Sequence, residues 1–136
     1  MLIRVYVAGA LSGPALQYLE NMRRMMTIST RLFTMGISPY CPCLDFHFAL
    51  MRQEMSEPIP VQTFYQASIP WLAVSRAMLV LPGWDKSRGT QGEIEEAAHN
   101  FVPTFFLPSP LLNYLDLPPD PSLDVLFKKW EGEACT

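Results

Sequence analysis

The sequence predicts an α/β fold in which a mostly parallel sheet of four or five strands lies between two layers of helices. Three observations support this prediction: short apolar segments typical of buried strands, longer segments with helical periodicity, and a regular alternation of the two along the chain. Strands that alternate with helices are typical of parallel βαβ units with right-handed crossovers.

The first part of the chain contains two predicted strands and one long helix. Ile3 to Ala8 is apolar and rich in β-branched residues, and it ends at Gly9, as buried strands often do. The next segment ends at Gly36, a natural helix stop, and repeats apolar residues at helical spacing at Leu16, Leu19, Met22, Met26 and Leu32. A brief second strand follows from Ile37 to Tyr40.

The middle of the chain is less regular. The segment from Asp45 to Phe48 is expected to form a short helix or an active-site flap. A helix is predicted from Val61 to Arg76, with its inward residues at Phe64, Trp71 and Leu72. Pro70 interrupts this pattern because proline has no amide donor and fits only the first helical turn. We therefore expect Ser68 to cap a separate final segment.

The next predicted strand, Ala77 to Leu81, has the clearest pattern of all. A helix follows from Thr90, with Ile94, Ala97, Ala98 and Phe101 on its inner face, and Pro103 to Leu107 is a fourth strand. The Pro-rich stretch after these strands contains one predicted helix, Ser122 to Trp130.

Together these elements predict a single domain over residues 1–136. Its Rossmann-like or flavodoxin-like core spans residues 3–107, and a C-terminal extension covers residues 108–136. A chain of this length can bury roughly two-thirds of its unfolded surface, so we expect it to fold without disulfides or metals.

Composition narrows the classes of function. The net charge of −3 lacks the excess of positive charge that is typical of proteins that bind a nucleic-acid polymer. No stretch approaches the roughly 18 uninterrupted apolar residues of a membrane span, and no apolar signal segment precedes the first strand. We therefore expect a cytoplasmic protein whose partner is a small molecule, with no membrane association.

The cysteines do not indicate a disulfide framework or a metal site. They are three in number, Cys41, Cys43 and Cys135. The spacing of Cys41 and Cys43 differs from that of a redox pair, and no second pair completes a zinc site. We interpret both as small buried residues and expect no metal and no cofactor.

Two loops leave predicted strands and enter predicted helices, Gly9 to Pro14 and Gly83 to Gly89. Ligands of parallel sheets bind beyond the carboxyl ends of the strands, and helix N-termini favour anions. We therefore predict an anion site, and its candidate phosphate-binding or sugar-binding residues are Gly9, Ser12, Gly13, Ser87 and Gly89. The alternative is that glycine and serine occur here only because they suit turns.

Glu93 has two interpretations. The segment from Thr90 to Glu93 matches a capping box, in which the glutamate hydrogen-bonds back to the helix N-terminus. Alternatively, Glu93 faces the cleft as an ionised nucleophile, and the first helical turn helps to keep it charged.

Several of these motifs together resemble the nucleoside 2-deoxyribosyltransferase superfamily. They are Tyr6-Val7-Ala8-Gly9 with Ser12-Gly13, Asn21, Leu81-Pro82-Gly83-Trp84, and Ser87-x-Gly89-x-x-x-Glu93 with Ala97. The resemblance covers residues 3–107 and is strongest to the small phage and bacterial branch and to the deoxynucleoside 5′-monophosphate N-glycosidases. It implies a nucleotide ligand and a homodimer or larger homo-oligomer.

The resemblance also implies residue roles. The glutamate at the position of Glu93 attacks the anomeric carbon, and the tyrosine at the position of Tyr6 lies at the sugar. Transferases of free nucleosides have an aspartate where this chain has Ser87, whereas the monophosphate hydrolases have a serine that donates to phosphate. The resemblance therefore implies an N-glycosidase acting on a nucleoside 5′-monophosphate.

One departure weakens that implication. Ser68 stands where the family has an aspartate that assists departure of the base, and losing such a proton donor typically costs a factor of about 10² to 10⁴ in rate. Asp45, His47 and Trp84 are candidates for a substitute acid or for the base-binding wall, with ordinary structural roles as the alternative.

Two further functions stay open: a nucleotide-binding module with weak or no activity, and a deoxyribosyltransferase.

Overall fold

A computed structural model describes residues 3–50, 57–107 and 128–129. The sheet has four parallel strands, and their order across it is β2-β1-β3-β4. Their bounds are β1 Arg4–Ala8, β2 Ser38–Tyr40, β3 Ala77–Val80 and β4 Thr104–Phe106. The predicted α/β class and parallel sheet are confirmed.

Helices cover both faces of this sheet. They are α1 Ala15–Thr34, α2 His47–Leu50, α3 Val61–Ala73 and α4 Arg88–His99, with 3-10 helices at Pro42–Phe46 and Trp84–Lys86. Side chains of β1 alternate between the two faces, so Val5 and Val7 pack with α1 while Tyr6 and Ala8 pack with α3 and α4. Strand order reverses between β1 and β3, which places a crevice at their carboxyl ends.

Helix α1 ends as the sequence predicts. Gly36 adopts a φ of 81°, and the amide of Ile37 bonds the carbonyl of Leu32 at 3.0 Å, which closes the last turn. The buried face differs from the apolar repeat, because Leu16 is 80% exposed whereas Met25 and Ile28 are buried. Among the described residues, no helix combines the length and the apolar character needed to cross a lipid bilayer.

Helix α3 runs through Pro70 without a break, so the prediction that Ser68 caps a separate segment is wrong. The Ser68 hydroxyl instead donates to the carbonyl of Tyr65 at 3.0 Å. Pro70 and Gln66 both lie on the exposed face, where water can bond the Gln66 carbonyl that proline leaves without an amide donor. Leu72 is buried as predicted, but Trp71 is 55% exposed, contrary to its predicted inward orientation.

Helix α4 begins at Arg88 rather than at Thr90. Its N-cap is Ser87, whose hydroxyl oxygen accepts from the Thr90 amide at 3.2 Å. Ala97 is buried as predicted, whereas Phe101 lies beyond the end of the helix and is exposed. The predicted helix from Ser122 to Trp130 lies outside the described residues, apart from two helical residues at 128–129.

Candidate active site

A pocket lies at the carboxyl ends of β1 and β3, in the crevice where strand order reverses. Its cavity volume is about 60 Å³, and it opens to solvent. The polar side chains that line it are Tyr6, Ser12, Asp45, Tyr65, Ser68, Ser87 and Glu93, and the remaining wall is formed by Gly9, Leu11, Met25, Pro42, Phe46, Val61 and Phe64. None of these described lining residues carries a positive charge.

Glu93 lies in the pocket and not in a capping box. The box requires Thr90 as N-cap, but Ser87 holds that position, so Glu93 falls in the second turn of α4. It shares a buried face with Thr90 and Ala97, three residues before it and four after it. Glu93 is 6% exposed and lines the pocket, so the capping-box interpretation is wrong.

The surroundings of Glu93 favour its protonated form. Burial raises the pKa of Glu93 from its ordinary value of 4.5 to about 7, and the nearby Tyr6 hydroxyl opposes this rise. The described pocket residues provide no cation to offset the cost of burying a carboxylate. Glu93 therefore exchanges its proton near neutral pH, as groups at functional sites often do.

Tyr6 is the polar neighbour of Glu93 on β1. Its side chain is fully buried, and its hydroxyl has no well-formed hydrogen bond with any described residue. Burial raises the pKa of Tyr6, and the nearby Glu93 charge raises it further, so the phenol stays protonated. Tyr40 stacks on the Tyr6 ring at a centroid distance of 5.3 Å and fixes its plane. The result is a rigid donor without a partner beside a carboxylate.

Ser87 has a structural role that leaves its own proton available. Its oxygen accepts from the Thr90 amide at 3.2 Å and from the Thr90 hydroxyl at 2.9 Å. Both bonds use Ser87 as acceptor, so its O–H can donate to a ligand in the pocket. The adjacent first-turn amides of α4 have no intrahelical acceptor, and the helix dipole favours an anion there.

The other predicted loop residues divide between the pocket and its surroundings. Gly9 and Ser12 line the pocket, whereas Gly13 lies outside its lining, at the exposed start of α1. Gly89 lies in a neighbouring open groove that shares Tyr65 and Glu93 with the pocket.

Of the three candidates for a substitute acid or base wall, only Asp45 reaches the pocket. Its carboxylate accepts from the Tyr40 hydroxyl, and it stands in the wall that faces α3. His47 is exposed and lies outside the pocket lining. Trp84 packs against Phe106 with ring centroids 5.1 Å apart, and it does not line the pocket either.

Sequence reasoning missed an aromatic wall. Phe46 and Phe64 contact each other with centroids 4.7 Å apart, and Tyr65 continues the same wall along α3. The signal was the spacing of Phe64, Tyr65 and Ser68, which places them near one another on a helix. Burial raises the pKa of Tyr65, and the Glu93 charge adds to this effect.

Comparisons of the sequence with protein-family models and with curated proteins found no match. Function is therefore inferred from the pocket itself. One buried carboxylate, one unpartnered phenol and three serine hydroxyls meet there.

Proposed function

We propose that this protein is an N-glycosidase that hydrolyses the base–sugar bond of a (deoxy)nucleoside 5′-monophosphate. The observation that carries the proposal is the buried Glu93 carboxylate beside the unpartnered Tyr6 hydroxyl, in a pocket at the switch point of a parallel sheet. The resemblance of the segments around Tyr6 and Glu93 to the nucleoside 2-deoxyribosyltransferase superfamily supports the same assignment.

The proposed reaction has two steps. In the first, a Glu93 carboxylate oxygen bonds the anomeric carbon as the bond to the nucleobase breaks, and the base leaves with a proton. In the second, water attacks the same carbon and returns a proton to the group that protonated the base, which releases the sugar phosphate and the free carboxylate. The Tyr6 hydroxyl lies beside Glu93 and favours its charged form, which is the nucleophilic one.

We assign the phosphate group of the substrate to the end of the pocket formed by the two loops. Ser12 and Ser87 supply hydroxyl donors there, and Ser87 marks the N-terminus of α4. Neutral donors and a helix dipole bind phosphate without a cation, as in other phosphate sites at helix N-termini. We expect the phosphate at this end, because the Glu93 carboxylate would repel it elsewhere in the pocket.

The aromatic wall is suited to a planar base. Phe46, Phe64 and Tyr65 line the cavity, and Asp45, next to Phe46 in sequence, is the carboxyl group beside this wall. We assign the proton transfer to the departing base to Asp45 in its protonated form, because Ser68 is occupied by its bond to the Tyr65 carbonyl and a serine is a poor acid.

The test is to incubate the full chain with ribonucleoside and deoxyribonucleoside 5′-monophosphates and with the free nucleosides, and to separate free base by chromatography. We expect release from at least one monophosphate and its loss in Glu93→Gln. Glu95→Gln, an exposed residue on the same helix, is the matched control and should retain activity. Equal release by Glu93→Gln, or none from any substrate, contradicts the proposal.

Ser68 favours a second candidate, a module that binds a nucleotide without cleaving it. If Asp45 does not replace the missing acid, the same pocket holds its ligand intact. Calorimetry that shows tight binding, with the nucleotide recovered unchanged after long incubation, supports this alternative. Transfer of deoxyribose between bases is the third activity that the resemblance implies, and exchange of labelled base with free nucleosides detects it.

A further inference from the structure

Two thiols lie in contact immediately after β2. The Sγ atoms of Cys41 and Cys43 are 3.2 Å apart, with only Pro42 between the two residues in sequence. A disulfide bond has an S–S length of about 2.05 Å, so the two sulfurs need to approach by about 1 Å to bond. Both cysteines are free and buried, as the sequence predicts, but they are in contact although their spacing differs from that of a redox pair.

The two thiols differ in accessibility. Cys43 is fully buried in the core between the sheet and α1, whereas Cys41 is 7% exposed. Cys41 also lines a surface groove beside α1, together with Met26, Phe33 and Leu44. Cys41 is therefore the more accessible of the two thiols to a small reagent.

The two thiols also differ in acidity. The pKa of Cys41 is lowered because the Cys43 thiol hydrogen-bonds to it, while the pKa of Cys43 is raised by the same contact and by burial. The thiolate is the nucleophilic form of cysteine. The more accessible thiol, Cys41, is thus the reactive one, and Cys43 keeps its proton.

We propose that Cys41 and Cys43 form a redox-active pair that closes to an intrachain disulfide when a hydroperoxide oxidises Cys41. The Cys41 thiolate attacks the peroxide and gains a hydroxyl group, and the peroxide is reduced to an alcohol or water with uptake of one proton. The Cys43 sulfur then attacks the sulfenic acid, and its proton leaves with the hydroxyl group as water.

Closure of this bond reaches the pocket on the other side of the same segment. Pro42, Asp45 and Phe46 line the pocket and belong to the 3-10 helix that begins directly after Cys41. Pulling the two sulfurs together changes the first turn of that helix, where the Leu44 amide bonds the Cys41 carbonyl at 3.0 Å. Oxidation therefore modifies the wall that carries Asp45.

The experiment uses the full chain with Cys135→Ser, so that Cys41 and Cys43 are its only thiols. The folded protein is treated with hydrogen peroxide, denatured, and its thiols are counted. We expect both thiols to be lost and the mass of the peptide that contains both residues to fall by that of two hydrogens. Dithiothreitol should restore both thiols. Two free thiols after treatment, or disulfides between chains, overturn the proposal.

Single-cysteine variants assign the two roles. In Cys43→Ser with Cys135→Ser, a sulfenic acid persists at residue 41 and is trapped by dimedone. In Cys41→Ser with Cys135→Ser, Cys43 reacts at least about tenfold more slowly, because it is buried and protonated. Cys43→Ala serves where the serine variant fails to fold. Equal reactivity of the two residues contradicts the assignment.

Discussion

The Tyr65 hydroxyl of α3 lies against the backbone of Gly89 in α4, at a point where a β-carbon on residue 89 would stand 1.1 Å from the Tyr65 oxygen. This contact sets the position of a pocket residue, because Tyr65 also lines the cavity. We predict that Gly89→Ala displaces the Tyr65 ring and lowers the free energy of unfolding by about 1–3 kcal/mol. Denaturant titration measures the change.

Gly92 provides the matched control. It lies one turn later on α4, and a β-carbon there would meet nothing within 4 Å. Gly92→Ala should therefore leave the protein as stable or stabilise it by up to about 1 kcal/mol, the helix preference of alanine over glycine. The double variant Gly89→Ala, Tyr65→Ala has no such clash. Its loss of stability should therefore be smaller than the sum of the losses in the two single variants. Equal effects at residues 89 and 92 contradict the packing argument.

Substitutions at Ser87 separate capping of α4 from recognition of phosphate. Ser87→Ala removes the acceptor for Thr90 and should cost about 1 kcal/mol of stability. Ser87→Asp keeps an acceptor at the N-cap, so stability should be preserved, but its charge repels a phosphate.

Kinetics with Ser87→Asp then test the phosphate assignment. We expect kcat/KM for monophosphates to fall by about tenfold or more, an energetic difference of about 1.4 kcal/mol. Values for free nucleosides should change much less, because they carry no anionic group for the aspartate to repel. The same loss for both substrate types indicates a damaged pocket and argues against a phosphate at Ser87.

The sequence predicts the sheet better than it predicts the site. Strand segments such as Ala77 to Leu81 are buried on both faces, so composition alone identifies them. The register of α4 is different, because Ser87 and Thr90 are both good N-caps and only tertiary contacts decide between them. Because Ser87 is the N-cap, Glu93 lies in the second turn and lines the pocket, and it does not form a capping box.

The sequence also does not predict which face of an amphipathic helix packs against the sheet. Apolar residues on α1 repeat on more than one face, and Leu16 lies on the exposed one. The pocket also depends on contacts between residues far apart in the chain, such as Phe46 with Phe64 and Tyr65 with Gly89. No local pattern encodes such contacts.

Tyr6→Phe should affect activity and stability in opposite directions. The variant removes a buried hydroxyl that has no described partner, so the free energy of unfolding should stay the same or rise by about 1 kcal/mol. Without the Tyr6 donor the pKa of Glu93 rises further, and the acidic limb of the pH–activity profile moves to higher pH. The proposed role of Tyr6 is rejected if this limb stays in place.

Stability should fall as pH rises through the titration of Glu93. Its pKa is higher in the folded protein, about 7 against an ordinary 4.5, so the folded state binds the proton more tightly than the unfolded state. The stabilisation is full below about pH 4.5 and is lost as pH rises through 7. The whole rise corresponds to about 3 kcal/mol. Thermal unfolding measured from pH 4 to 9 should show this decline.

Glu93→Gln isolates the contribution of this one carboxyl group. Glutamine has nearly the same shape and does not titrate, so the variant should lack the decline between pH 4.5 and 7 that we attribute to Glu93. At pH 8 the variant should be more stable than the native chain, because only the native chain then buries a charge beside Tyr6. Glu95→Gln, changed at an exposed position, should follow the native curve. Parallel curves for the native chain and Glu93→Gln would show that Glu93 is not the titrating group, and would remove the electrostatic basis for treating it as the nucleophile.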